Sequence, residues 1–216
     1  MARRSSADAI ERATVRLFAK YGFVGVSIRD LAAEVGVSPA AIYNHTSSKE
    51  EMLWKIISRT MGDILGNAAR AEAVSACPVA QLEVFMTNHV KYLAHHRGEA
   101  RIGNTQWRHL TDERMQVVHD QRDQYARSLE AILSRGHSKG YFLQGSVKFA
   151  SFSLVAMGLG VSQWFRSTGD HSAEEIAQIY VEFAMDLVRL DRDAHADSCP
   201  DLGHPGAEAA TAPRPA

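Results

Sequence analysis

Ser27-Ile28-Arg29-Asp30-Leu31-Ala32-Ala33-Glu34-Val35-Gly36-Val37-Ser38-Pro39-Ala40-Ala41-Ile42-Tyr43-Asn44 reads as two short helices joined by a tight turn. Ser27 has a side chain that can accept the orphan N–H groups of a first helical turn, and Ile28, Leu31, Ala32 and Val35 recur at helical spacing. Gly36 then ends that helix, since glycine adopts the left-handed conformation on which helices commonly close. Ser38-Pro39 opens the next one, with serine as N-cap and proline at the first position, where its missing N–H is harmless. Such a pair is a helix-turn-helix unit: the first helix crosses the phosphate backbone and the N-terminal half of the second enters the major groove. Ala40 and Ala41 permit close approach, and an alanine methyl can meet that of a thymine. Ser38, Tyr43, Asn44 and His45 supply hydrogen-bonding groups.

Upstream, a helix starting at Ser5 or Ser6 places Ile10, Ala13, Leu17 and Phe18 on one face and stops at Gly22. Downstream, Ser47 and Ser48 each stand three residues before a glutamate, Glu50 and Glu51, making overlapping capping boxes. They begin a helix, over residues 48–66, that connects a head (1–50) to a body (51–190). Helical patterns continue from Cys77-Pro78, around Gly98–His109, from Thr111 to about Lys139, over Ser146–Arg166 and over Ser172–Leu190. No run of alternating β-branched residues and no internal repeat interrupts them. The expected fold is all-α. From Asp191 the composition turns to Ala, Asp, Gly, His and Pro without periodicity, and residues 191–216 read as a disordered tail.

Two helices of the body carry further information. Over Ser146–Arg166, Phe149, Phe152, Leu154, Val155, Met157, Leu159, Val161 and Trp164 cover most of the circumference. A helix apolar all round is buried on more than one side, here against its own core and a partner subunit. The alternative is a monomer with a well-buried central helix. In the helix from Thr111, the stripe of Met115, Val118, Tyr125, Leu129 and Ile132 is interrupted by Arg122. An arginine there pairs with a carboxylate, snorkels, or faces a cavity that an anion can reach. His89 interrupts the Leu82–His96 stripe similarly, and a hydrogen-bonded core histidine is the commoner explanation. Trp107-Arg108 and Trp164-Phe165-Arg166 each set an aromatic beside a guanidinium, fit either for gripping an anion next to an apolar group or for an ordinary core with surface arginines.

Composition bounds the class. The 216 residues are 45% hydrophobic and 23% charged, with a net charge of −1. Nine Lys/Arg against six acids in residues 1–60 leave that part at +3 and the rest at −4, a modestly basic end on an acidic body. Two cysteines, Cys77 and Cys199, make neither a disulfide framework nor a zinc spacing and suit a reducing cytoplasm. No secretory signal is visible, and the longest uncharged run, between Lys148 and Arg166, is short for a membrane span. Ten histidines show no HxxxH or Cys/His cluster, so no metal and no cofactor is expected. Absence of GxSxG, of a glycine-rich phosphate loop and of a Ser/His/Asp context argues against an enzyme.

The order Gly25-Val26-Ser27-Ile28-Arg29-Asp30-Leu31-Ala32-Ala33-Glu34-Val35-Gly36-Val37-Ser38, then Ile42-Tyr43-Asn44-His45, then Ser48-Lys49-Glu50-Glu51-Met52-Leu53, preceded by Tyr21-Gly22-Phe23, resembles the signature of the TetR family over about residues 8–57. The resemblance implies phosphate contacts by Tyr43, His45, Lys49 and the helix start near Ser27 and Arg29, with bases read around Ser38–Asn44. For Arg29 the alternative is pairing with Asp30 or Glu34 on the surface. One position departs: Thr46 stands where the family usually has an aromatic that packs the recognition helix. The resemblance also implies a homodimer through the last two helices, a palindromic operator and a small-molecule effector. More loosely, Gly160-Val161-Ser162-Gln163-Trp164-Phe165-Arg166, Gly169, Ser172-Ala173-Glu174-Glu175-Ile176-Ala177 and Tyr180 are similar to regulators of lipid and sterol catabolism that respond to acyl-CoA thioesters. His89, Trp107, Arg108, Arg122, Tyr125, Trp164 and Arg166 are then the expected ligand residues. A ligand-independent DNA-binding regulator or activator is the alternative that the sequence leaves open.

Overall fold

The computed structural model describes residues 2–143 and 145–196. Ten α-helices follow one another among them: α1 (Ala2–Tyr21), α2 (Ile28–Val35), α3 (Pro39–Tyr43), α4 (Lys49–Ala73), α5 (Pro78–His95), α6 (Arg97–Thr105), α7 (Asp112–Ser138), α8 (Val147–Trp164), α9 (Ala173–Leu187) and α10 (Arg192–Ala196). A single 3-10 turn, Trp107–His109, lies between α6 and α7. The all-α expectation holds; the only pairing of extended backbone among the described residues is an isolated bridge between Phe142 and Leu190.

Most boundaries follow the caps. Ser27, Ser38, Ser48, Thr111 and Ser172 each accept a backbone N–H from the first turn of the helix they precede. Ser27 and Ser172 form complete capping boxes with Asp30 and Glu175. Gly36 closes α2 at φ 75°, a left-handed conformation that a side chain would oppose. Three expectations need correction. α1 starts at Ala2 rather than at Ser5 or Ser6, because Ala-Arg-Arg is itself good helix sequence. α4 continues past residue 66 to Ala73, where Ala68 and Ala71 are buried on the body and their packing outweighs Gly62 and Gly66. Asp191 begins a last turn instead of a structureless tail: its N–H donates to the Tyr141 carbonyl, its carboxylate accepts from the Ala194 N–H, and Ala194 packs on the body core. Residues 197–216 of the expected tail lie outside the described residues.

The body is arranged around α5, which packs on α4, α7, α8 and α9, whereas α8 and α9 touch each other little. Its core joins Ala68 and Ala71 of α4 to Leu82, Phe85 and Met86 of α5, Leu129, Ile132 and Leu133 of α7, Leu154 of α8 and Val188. The head core is not closed off at residue 50. Phe18, Leu31 and Ile42 pack with Leu53, Ile56 and Ile57 of α4, and the same cluster takes in Ile102, Trp107, Leu110 and Val118. Head and body therefore share apolar contacts along α4, α6 and the start of α7.

Candidate nucleic-acid interface and ligand pocket

In the head, Ile42 is fully buried and anchors α3, while Ser38, Ala40, Tyr43 and Asn44 are exposed and Ala41 and His45 half-exposed. The five-residue helix is therefore exposed at both ends, with Ile42 turned inward. Ser27 and Arg29 are exposed at the start of α2. Neither acid near Arg29 is available to it: Asp30 is held by the Ser27 N–H and hydroxyl (2.8 and 2.7 Å), and Glu34 by Arg16 (2.8 Å). Arg29 makes no ion pair with either of them.

Lys49 is placed differently from a simple phosphate contact. Its Nζ donates to the carbonyls of Phe23 and Val26, both at 2.8 Å, and lies 4.2 Å from the centre of the Phe23 ring. Burial pulls its pKa down. Two of the three ammonium donors pin the loop between α1 and α2 to the start of α4, a role that no local pattern around Lys49 signals. Thr46 is buried and its hydroxyl donates to the Ser48 carbonyl at 2.9 Å, so a short internal bond stands where the family usually has an aromatic ring.

The joint between head and body also escaped sequence reading. Arg114 of α7 reaches both Glu50 and Glu51 in the first turn of α4 and lies over the Trp54 ring. Gln106 accepts the Phe23 N–H at 3.0 Å, and His109 stacks on the Phe23 ring. Nothing in local periodicity marks such pairs, whose members stand at least sixty residues apart.

The body holds a pocket of about 350 Å³ bounded by α4, α5, α6, α7 and α8. Met61, Ile64, Leu93, Phe152, Val155 and Leu159 give it a mainly apolar wall, with Asn104 and Asp123 among its polar groups. His89, Arg122 and Tyr125, expected ligand residues, all line it. His89 is buried, with Nδ1 2.7 Å from the Tyr125 hydroxyl and Nε2 3.2 Å from the Val155 carbonyl. A carbonyl only accepts, so Nε2 carries the proton and Nδ1 accepts from Tyr125. Desolvation lowers the His89 pKa to about 4, against the smaller effect of the Val155 bond, and raises that of Tyr125. This is the hydrogen-bonded core histidine, serving also as pocket wall. Arg122 is half-buried; its Nη2 donates to the Gly103 carbonyl at 2.7 Å, and it makes no ion pair among the described residues. Burial and the nearby Arg108 lower its pKa, yet a guanidinium stays charged.

Four expected ligand residues are not in the lining. Trp107 is buried, within 5 Å of both the Arg108 and the Arg122 guanidinium, so it supports Arg122 from behind. Arg108 is exposed on the 3-10 turn. Trp164 and Arg166 are exposed at and beyond the C-terminal end of α8, away from the pocket; adjacency in sequence to an aromatic did not indicate which side of α8 they occupy. Among the described residues no group of His, Cys, Asp and Glu could hold a metal ion, and no helix is long and apolar enough to cross a membrane.

Residues 10–55 match the family model of bacterial regulatory proteins of the tetR family, and residues 75–188 match the tetracyclin repressor-like C-terminal domain. The chain belongs to the TetR family. The HTH-type transcriptional repressor KstR2 of Mycobacterium tuberculosis is 22% identical to it over 171 residues, 78% of this chain and 86% of the relative. A TetR family transcriptional regulator, PfmR from Thermus thermophilus, superposes with a TM-score of 0.74 at 29% identity, covering 82% of this chain and 97% of its own. AibR, solved with isovaleryl coenzyme A and operator DNA, superposes with a TM-score of 0.73 at 24% identity over 86% and 99%, a likeness of fold. As a TetR-family chain, this protein is a DNA-binding transcription regulator with the head as its helix-turn-helix domain.

Proposed function

We infer that this TetR-family regulator is a cytoplasmic repressor released from a palindromic operator by a small molecule bound in the body pocket, and that the molecule is an acyl-CoA thioester. The observation that carries the ligand class is Arg122: a half-buried guanidinium without a carboxylate partner, at the edge of an apolar pocket. A structural salt bridge would have offset its burial; an incoming anionic or carbonyl oxygen does so instead. The pocket of about 350 Å³ suits an acyl group and leaves the nucleotide part of the coenzyme outside. KstR2, a repressor, and AibR, bound to an acyl-CoA, support the same reading.

On the head, Ser38, Ala40, Ala41 and Asn44 face bases, while Ser27, Arg29, Tyr43 and His45 meet phosphates, with Lys49 holding the loop that presents them. Two heads reach successive half-sites in a homodimer formed through α8 and α9, whose exposed Phe149, Phe152, Ile179 and Phe183 a second copy covers. Release follows by linkage if the ligand favours a spacing of the heads that the operator does not fit.

The test is fluorescence anisotropy of the protein on its own upstream DNA, with and without acyl-CoA esters. Salt-dependent binding abolished by a thioester, and an Arg122→Met variant that binds DNA equally but needs about tenfold more thioester, is the expected result. DNA binding indifferent to every thioester would discard the ligand and leave a ligand-independent regulator.

A further inference from the structure

A second pocket, of about 150 Å³, lies in the head between α1, the segment leaving α3 and the first turns of α4. Its wall includes Ile10, Thr14, Thr46, Met52 and Ile56, all buried. The Thr14 hydroxyl donates to the Ile10 carbonyl at 2.8 Å and the Thr46 hydroxyl to the Ser48 carbonyl at 2.9 Å, so neither asks for a partner in the cavity. At the rim, Glu11 is paired with Arg59, and Lys55 with Glu51. His45 differs from all of these. It lines the pocket half-buried, and its imidazole makes no hydrogen bond among the described residues.

An enclosed aliphatic cavity of about this volume accepts a benzene ring. This pocket is open to solvent on one side and mixes apolar with polar lining, and one unpaired hydrogen-bonding ring is part of that lining. We propose that the pocket is a second ligand site, separate from the body pocket, for a neutral single-ring phenol. The ring lies against Ile10, Met52 and Ile56, and the hydroxyl bonds to His45. A carboxylate or an ammonium is disfavoured, because the rim charges already neutralise each other and an added one would stand unpaired against apolar wall. A hydroxyl needs a single partner, which His45 supplies as donor or acceptor. The His45 N–H closes the end of α3 on the Ile42 carbonyl, so the bound ring abuts the exit of the recognition helix.

The experiment titrates the full chain with phenol by calorimetry or saturation-transfer NMR. Saturable binding is expected with a dissociation constant of about a millimolar, the range open to seven non-hydrogen atoms. Thr46→Phe, which fills the cavity with the side-chain class expected at that position, weakens it about tenfold or more. Ala7→Phe on the α1 rim does the same, and answers the question if Thr46→Phe does not fold. Leu159→Trp, in the wall of the body pocket, leaves it intact. Absence of saturation, binding retained in the folded head variants, or binding lost in Leu159→Trp each overturns the proposal.

Discussion

The imidazole of His89 occupies the space that a side chain on Gly158 would need: a methyl there would stand 2.1 Å from its Cδ2. α8 therefore approaches α5 as closely as it does only because residue 158 has no Cβ. His89 borders the pocket, but moving it aside breaks the bonds to Tyr125 and to the Val155 carbonyl together. Gly158→Ala gains about 1 kcal/mol of helix propensity but suffers overpacking and unpaired buried groups, each about 1–3 kcal/mol. A net loss of about 2 kcal/mol is expected, seen as a lower urea midpoint at unchanged slope. An alanine variant as stable as the wild type would mean that His89 is not so confined.

The same histidine makes stability depend on pH. Its folded pKa, about 4, lies below the ordinary value of 6.5, so the folded state resists a proton that the unfolded chain accepts. The contribution is fully present above pH 6.5 and is lost progressively as pH falls toward 4, amounting to about 3 kcal/mol across that window. Carboxylates add their own acid sensitivity, so the informative quantity is a difference. Melting temperatures of wild type and His89→Gln, followed from about pH 7.5 down to about 4.5, should converge as the pH drops. Parallel curves would contradict a neutral, buried His89.

How far this was legible in the sequence depends on the range of the interaction. Ser27, Gly36, Ser38 and Ser48 act within one turn of themselves, and their caps could be read directly. Arg122 could be singled out because it breaks an apolar stripe, but whether a carboxylate met it was a tertiary question. The orientation of Trp164 and Arg166 was beyond reach for another reason: α8 is apolar on nearly every side, so periodicity does not distinguish the side facing α5 from the outer one. Lys49 reads from the resemblance as a phosphate contact, and its internal role is hidden because the carbonyls that hold it belong to a loop more than twenty residues earlier.

That placement of Lys49 separates two kinds of head residue. Tyr43 is 56% exposed, so Tyr43→Ala should leave the melting temperature nearly unchanged while weakening operator binding. Lys49→Ala removes two hydrogen bonds from a charged donor and should lower stability by about 2 kcal/mol. Its DNA affinity should fall through disorder of the loop, with the dependence of log K on log salt altered by less than the roughly one unit that a lost phosphate contact produces. Thermal melts and anisotropy at several salt concentrations measure both. A full unit of slope lost without destabilisation would restore Lys49 as a phosphate ligand.

The outer side of α8 and α9 bears a consequence for assembly. Phe149 is 69% exposed and Phe183 50% exposed, on helices whose other sides are packed on α5. Large aromatics left in water are unfavourable unless something covers them. A second copy related by a two-fold axis brings the same patch against itself, and an aspartate in it then meets its own symmetry mate as well as an apolar surface. Phe149→Asp and Phe183→Asp should each convert a dimer to a monomer in sedimentation, with helicity by circular dichroism unchanged. Since one head then binds without its twin, operator affinity should fall on the order of a hundredfold. A wild-type chain that sediments as a monomer, or variants that stay dimeric, would place the interface elsewhere and leave the aromatic surface without an occupant.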